Sequence, residues 1–414
     1  MRVLLVNQYF WPDMAATAQL LADLAEDLAA AGHEVTALAG RGTYVAGRAG
    51  RLPRRERWQG VEIRRVACTD FGRLSRLGAL GRLADYLTFL AAAAIAVLTV
   101  PRQDVVVCLS TPPLVAMLGL LARRRRGTRF VYKVEDLYPD LGVALGALPR
   151  RSPLTRGLAA LSARLLSGAD AVVTLDDAMA AQVRTRAPQR RALSVTVIPN
   201  WADGEAIVPD AAAGARFRRE HDIPESMFVV LYSGNLGLAH RFDAVAGAAH
   251  RLAARAPEVL WLIVGGGPAL ADLAARVAGL GSVRFLGYQP RQRLNELYNA
   301  ADLHLVTLRD EVTGLLVPSK YAATLAAGKP VLLVGGEGSD LQAEIVARGL
   351  GWISPHTAEA VVEAVTEGVA ARRRDGRREA AGLAARGQAA RRVFDERYSR
   401  RRAFDAWSRL LEGL

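Results

Sequence analysis

Lysine is scarce in this chain, and that scarcity is the first chemical clue. Of 54 basic residues only Lys133, Lys320 and Lys329 are lysine. Arginine presents a planar fork, whereas lysine presents a compact point charge on a flexible stem. Positions that keep lysine in so arginine-rich a chain are candidates for needing the point charge. Lys320 lies in Thr313–Gly336, TGLLVPSKYAATLAAGKPVLLVGG, which reads as loop, short helix, turn and buried strand. Pro318 suits the first helical position. Gly328 supplies a left-handed residue that ends the helix near Ala327, and Pro330 forbids its continuation. Ser319 and Lys320 then occupy the first turn, where backbone N–H groups are unpaired and the helix dipole is positive. A lysine there works against its own helix unless an anion, most simply a phosphate, lies between them. The competing reading is a solvated surface lysine.

Three other loops bear glycine just after a strand-like run: Gly234-Asn235-Leu236-Gly237, Gly265-Gly266-Gly267-Pro268 and Gly287-Tyr288-Gln289-Pro290. Each alone is explained by turn sterics. Together with Lys320 at one sheet edge they would build a diphosphate site from backbone N–H groups. Two further loops follow strand-like runs in the first half, Ser110-Thr111-Pro112-Pro113 and Glu135-Asp136-Leu137-Tyr138-Pro139-Asp140. Ligands of open α/β sheets bind beyond the carboxyl ends of strands, so these loops should face a cleft.

The elements that must hold these loops alternate along the chain. Strand-length apolar runs at 3–6, 35–39, 61–66, 105–109, 130–134, 171–175 and 195–198 are separated mostly by helical stretches, notably 77–98 and 154–166. After a mixed segment the alternation restarts at 228–233, 260–264, 283–286, 303–307 and 331–334. This implies an α/β chain with two doubly wound, Rossmann-like parallel-sheet domains. The first strand–loop–helix lacks G-x-G-x-x-G, because Ala15 and Ala16 stand where glycines would be expected, which counts against a nicotinamide enzyme.

At 414 residues the chain exceeds the size of a single core, and 51% apolar residues supply material for two. Cys68 and Cys108 are distant and form no ligand-spaced cluster, and the six histidines are scattered, so no metal site is expected. Met1 leads straight into a strand, and no export is expected. The uncharged run from Tyr86 to Pro101 is short for a span and reads as a buried helix. The net charge of +13 fits an anionic membrane surface or an anionic substrate. Nucleic acid is a weaker reading, since aromatics are only 6% and do not interleave with the basic residues. Arg73, Arg76 and Arg82 alternate with Leu74, Leu77, Leu80 and Leu83, a pattern for a helix lying on an anionic leaflet or for an ordinary amphipathic helix.

The motifs NQYFWPD, GHEVT, STPPL, VEDLYPD, IPNWAD, YSGNLG, GGGP, FLGYQP and VPSKYAATLAAGKPV, in this order, resemble the retaining GT-B glycosyltransferases of family four. The similarity is nearest to bacterial enzymes that build O-antigen, capsule and colanic-acid repeat units on lipid-linked acceptors. The resemblance implies two Rossmann-like domains facing a cleft. Residues 1–203 would bind the acceptor, 204–225 form a linker, and 226–390 bind a nucleotide sugar, with UDP the expected nucleotide. Residues 391–414 would form a helix returning to the first domain. A metal-independent, cofactor-free transfer of a hexosyl or N-acetylaminosugar unit is implied, in the cytoplasm at the inner face of the plasma membrane.

Carried over by residue, the resemblance gives Lys320 and Arg241 to the diphosphate, with Gly234 and Asn235 passing beneath it. Tyr288 and Gln289 lie beside the base, Gly265 and Gly267 shape the pocket, and Thr313, Gly314, Pro318 and Ser319 complete the donor site. Asp136 is the expected acceptor-side carboxylate, with Glu135 second. Ala15, Ala16, Tyr138 and Asn200 fall on the acceptor side. Thr313 and Ala323 stand where the broader family carries two glutamates, and Asp310 or Glu311 could replace the first. A nucleotide-sugar epimerase and a non-catalytic partner subunit are the rival readings.

Overall fold

The computed structural model describes residues 1–42, 52–71, 78–187, 193–375 and 382–414, and it falls into two units. The first comprises Met1–Pro199, Gly314–Val317 and Phe404–Leu414; the second comprises Asn200–Thr313 and Pro318–Ala403.

In the first unit the described strands are β1 (Arg2–Val6), β2 (Glu34–Gly40), β3 (Arg55–Trp58), β4 (Val61–Val66), β5 (Val105–Cys108), β6 (Arg129–Lys133), β7 (Ala171–Thr174) and β8 (Ser194–Val197). They form one sheet in the order β3-β4-β2-β1-β5-β6-β7-β8. All pairs are parallel except β3 with β4. Central strands such as Val105-Val106-Val107-Cys108 are fully buried, as a strand covered by helices on both faces must be. The order reverses at β1. Edge strand β3 escaped the sequence reading because RERW has no apolar periodicity. It is formed by a tight turn in which Gln59 and Gly60 both take positive φ (47° and 78°), the geometry of a two-residue hairpin.

The second unit contains β9 (Phe228–Asn235), β10 (Val259–Gly266), β11 (Val283–Leu286), β12 (Leu303–Leu308), β13 (Val331–Gly335) and β14 (Gly351–Ser354). Their order, β11-β10-β9-β12-β13-β14, is wholly parallel and is the doubly wound order that reverses between β9 and β12. Helices on both faces bury the sheet, with Trp261, Tyr232 and Phe228 among its largest enclosed side chains.

Three expectations change. The apolar helix is longer than the uncharged run, Gly78–Thr99, and is not a buried one. Leu80, Leu83, Leu87, Ile95 and Leu98 are exposed while Asp85, Phe89, Ala93 and Val97 are buried. Counting only the uncharged run left out the turns around Arg82 and Asp85, whose carboxylate faces inward. Gly314–Val317, expected in the donor domain, packs with the first unit: the Leu137 N–H donates to the Leu315 carbonyl at 2.9 Å, and Leu316 bridges to Asp136. Asn200, expected on the acceptor side, belongs to the second unit. Arg73, Leu74, Arg76 and Leu77 lie outside the described residues.

Candidate donor site of the second unit

The strand order directs attention to the carboxyl ends of β9 and β12, where helices leave the sheet on opposite sides and a crevice opens. Strand β9 ends in Tyr232-Ser233-Gly234-Asn235. Tyr232 is fully buried and its hydroxyl donates to the Asn235 carbonyl at 2.8 Å, so the side chain holds the turn that follows its own strand. Lys320 opens the seven-residue helix Lys320–Ala326. Its Nζ lies 3.5 Å from the centre of the Tyr232 ring.

That ammonium is the most unusual group in the unit. The residue as a whole is half-buried, but Nζ is shut off from solvent and has no hydrogen-bond partner among the described residues. Burial holds its pKa well below 10.5. An ammonium in a low dielectric without a counter-ion is costly. The helix is not what makes this an anion site. It has only about two turns, Ser319 is exposed, and no side chain caps its start. The expected cooperation between lysine and helix dipole therefore gives way to the lysine and its enclosure.

His240, which the sequence reading passed over, joins this group. Its Nδ1 lies 2.6 Å from the Thr307 carbonyl at the end of β12, so Nδ1 carries the proton. Its ring meets Tyr232 edge-on at 5.8 Å. Burial first, and the Lys320 charge second, lower its pKa to about 3; the imidazole is neutral at physiological pH. Thr307 Oγ is buried and also has no partner among the described residues. Tyr232 and His240 sit in segments that read as ordinary core and turn, and no sequence signal marks them.

The glycines divide by cause. A Cβ on Gly265 would lie 2.0 Å from the Gly234 carbonyl oxygen, and one on Gly267 would lie 2.6 Å from that of Leu236; both are explained by close packing of strand ends. A Cβ on Gly234 would meet only Lys320 Cε at 3.5 Å and Nζ at 3.8 Å, so this strand end borders the ammonium directly. On β10, Gly266 is crowded by the Tyr288 ring, whose hydroxyl donates to its carbonyl at 3.1 Å. Tyr288 is otherwise exposed. Gln289 folds back on the Gly287 carbonyl at 3.1 Å.

Not every expected donor residue joins. Arg241 pairs its Nε with Asp243 Oδ2 at 3.0 Å, both half-exposed. Thr313 Oγ contacts the Glu337 carbonyl at 3.5 Å. Asp310 Oδ1 accepts from the Glu337 N–H at 3.0 Å, which makes it a loop brace. Pro318 is buried, and Gly314 takes φ 71° beside Ala178 in the first unit.

In the first unit, Ser110 Oγ accepts from the N–H groups of Glu135 and Asp136, each at 3.0 Å. Glu135 is buried and ion-paired with buried Lys133. Glu135, the second choice for the acceptor-side carboxylate, is thus engaged in an ion pair, and Lys133 places its point charge there. Asp136 is half-exposed at the end of β6, and so is Tyr138. Ala15 is the N-cap residue of helix Ala16–Ala30, its N–H bonded to Asp13 Oδ1 at 2.9 Å. Ala16 beside it is exposed. Among the described residues no three His, Cys, Asp or Glu side chains are grouped to hold a metal ion.

Two Rossmann-like units with this strand order define the GT-B class of α/β protein, and solved structures agree on the fold. The sucrose-phosphate synthase of Thermosynechococcus elongatus superposes over 100% of this chain and 99% of its own, with TM-score 0.73 and 18% identity. Anabaena HepE, solved with UDP-glucose, matches over 100% of both chains with TM-score 0.68 and 17% identity. Residues 16–201 match the glycosyl transferase 4-like domain and residues 215–386 the glycosyl transferases group 1 domain; the chain is built of these two glycosyltransferase domains. It is 30% identical to WbjE of Pseudomonas aeruginosa, named a probable glycosyltransferase, over 61% of this chain and 63% of WbjE. It is 29% identical to Escherichia coli WcaI, whose name assigns it to colanic acid biosynthesis, over 50% of this chain and 51% of WcaI. The chain thus spans between half and two-thirds of the length of these relatives.

Proposed function

We propose that this chain is a retaining glycosyltransferase that moves a hexosyl or N-acetylaminosugar unit from a UDP-sugar to a lipid-linked saccharide during assembly of a surface polysaccharide. The observation that carries the reading is the enclosed Lys320 ammonium at the carboxyl end of β9, which has no hydrogen-bond partner among the described residues. Breaking a sugar–diphosphate bond places negative charge on the leaving oxygen. A fixed cation in a water-poor site favours that charge without having to reorganise. The diphosphate in turn supplies the counter-ion that the ammonium lacks. The Gly234 strand end admits the phosphates closely, and Tyr288 at the next strand end offers a ring face to the base.

On the first unit we assign Asp136 to the acceptor hydroxyl, since its neighbour Glu135 is committed to Lys133. No metal and no cofactor enter this scheme. UDP is favoured by the nucleotide seen with HepE, and the polysaccharide role by the names of WbjE and WcaI. The reading puts the reaction at the inner face of a bacterial plasma membrane, where an anionic leaflet complements the net charge of +13; nucleic acid is not a partner.

A panel of nucleotides and nucleotide sugars tested by thermal melting checks the donor assignment, because a ligand that binds only the native state raises the midpoint. UDP and one or more UDP-sugars should raise it, and Lys320→Met should erase the shift. No response to any nucleotide, or an equal response in the variant, overturns the reading.

A further inference from the structure

Helix Gly78–Thr99 leaves its own outward face exposed on the first unit. Leu80, Leu83, Leu87, Ala91, Ile95 and Leu98 recur every three or four residues and form a continuous outward stripe. Leu80 is 73%, Leu87 57% and Ile95 67% exposed. The opposite face, with Phe89, Ala93 and Val97, is packed into the unit. Single exposed leucines are ordinary, but a stripe along some six turns of helix marks a surface made for an apolar partner.

The surrounding charge identifies the partner. Between Phe71 and Gln103 the one acidic residue is Asp85, which faces inward and accepts from the Phe71 N–H at 3.1 Å. Arg126 donates to the carbonyls of Leu98 and Val100, so the arginine-rich end of helix Ala116–Arg126 lies against the end of the stripe. Arg124 and Arg125 there are exposed. Arg82 flanks the other end. An apolar stripe between cationic ends, on a helix that carries no outward acid of its own, suits the boundary between headgroups and acyl chains of an anionic bilayer; the exposed carboxylates nearest in sequence are Asp70 and Asp104, and Asp104 is paired with Arg2. The helix is long and apolar enough to cross a membrane by composition. Spanning would require tearing Phe89 and Val97 out of the core and carrying Asp85 into hydrocarbon.

We propose that the outward face of Gly78–Thr99 inserts shallowly into an anionic phospholipid leaflet and docks the first unit there, with Arg124 and Arg125 engaging phosphate headgroups. This deepens the membrane reading given above and rests on it only for the location of the acceptor.

Flotation of the full chain with vesicles tests it without donor or acceptor. The chain should float with phosphatidylglycerol-containing vesicles and only weakly with pure phosphatidylcholine. Leu87→Glu/Ile95→Glu should weaken partitioning at least ~10-fold, since charges on the apolar face oppose insertion. Arg124→Ala/Arg125→Ala should remove most of the preference for anionic lipid. Both variants replace exposed groups, so thermal midpoints and the UDP-induced shift should be retained. A wild-type chain that does not float, or a Leu87→Glu/Ile95→Glu variant that floats as well as wild type, overturns the proposal. So does a variant that loses only self-association in size-exclusion chromatography, which would make a second copy the occupant. Normal flotation with no transfer to a lipid-linked acceptor would instead count against the catalytic reading alone.

Discussion

The Lys320 ammonium nitrogen stands 3.5 Å over the centre of the Tyr232 ring, and the ring face takes the place of the hydrogen-bond acceptor it lacks. A cation–π contact of this kind is worth about 2 kcal/mol when desolvated, far less than a desolvated ammonium forfeits. Charging Lys320 at the end of β9 is therefore poorly compensated by the protein alone, and a phosphate placed there would compensate it.

This makes Lys320→Met a variant with opposite effects on stability and activity. The depressed pKa means that the unfolded chain binds the proton more tightly below 10.5. The penalty is present at neutral pH and vanishes as pH rises toward that value. Lys320→Met should melt higher than wild type near pH 7.5, and the difference should close on the alkaline side. Turnover should fall by ~10²–10³, the scale for losing one such donor. Scanning calorimetry across pH and initial rates check the two halves.

His240 gives an acid-side signature. Its native pKa of about 3 lies below the ordinary 6.5, so the stability of the neutral buried ring is complete above 6.5 and is lost as pH falls toward 3. His304, whose Nε2 lies 2.9 Å from the Tyr298 carbonyl, behaves alike with a pKa of about 3. In His240→Gln the loss of stability between pH 6.5 and 3 should shrink by up to ~5 kcal/mol, leaving the His304 component in place. Urea denaturation at stepped pH measures it; an unchanged slope would place the wild-type ring in solvent.

The helix bearing Lys320 is braced from behind. Tyr321 and Tyr398 hydroxyls both donate to Glu344 Oε2, at 2.9 and 2.7 Å, and Arg397 pairs with Oε1. Glu344→Ala removes the acceptor of the buried Tyr321 hydroxyl and of the half-buried Tyr398 hydroxyl and should cost about 2–3 kcal/mol. Tyr321→Phe, which removes one donor, should cost about 1 kcal/mol. Equal losses in chemical denaturation would contradict this division.

Glu135 and Asp136, adjacent in sequence, should separate cleanly in experiment. Lys133→Met takes the ammonium away from a buried carboxylate and should destabilise by about 3–5 kcal/mol, with Lys133→Met/Glu135→Leu recovering most of it. Asp136→Asn should leave stability and UDP binding intact while impairing transfer. Loss of UDP binding in Asp136→Asn would assign that residue a folding role instead.

The class of fold was legible in the residues because apolar runs of strand length alternate with helical periodicity, and that pattern is local. Lys320 was legible by its rarity, and Gly328 and Pro330 by their backbone restrictions. What a side chain meets across the fold is not local. Only the tertiary structure brings Tyr232 and His240 to the Lys320 ammonium from β9 and the loop behind it, and Tyr321 and Tyr398 to Glu344. Periodicity shows that Gly78–Thr99 has two faces, but both are apolar, so composition could not say which one the sheet covers. Asp85 turned inward against the Phe71 N–H, and that contact left the leucines outside. Partner choice depends on distances through space between residues remote in the chain, and those are set when each sheet assembles within its own unit.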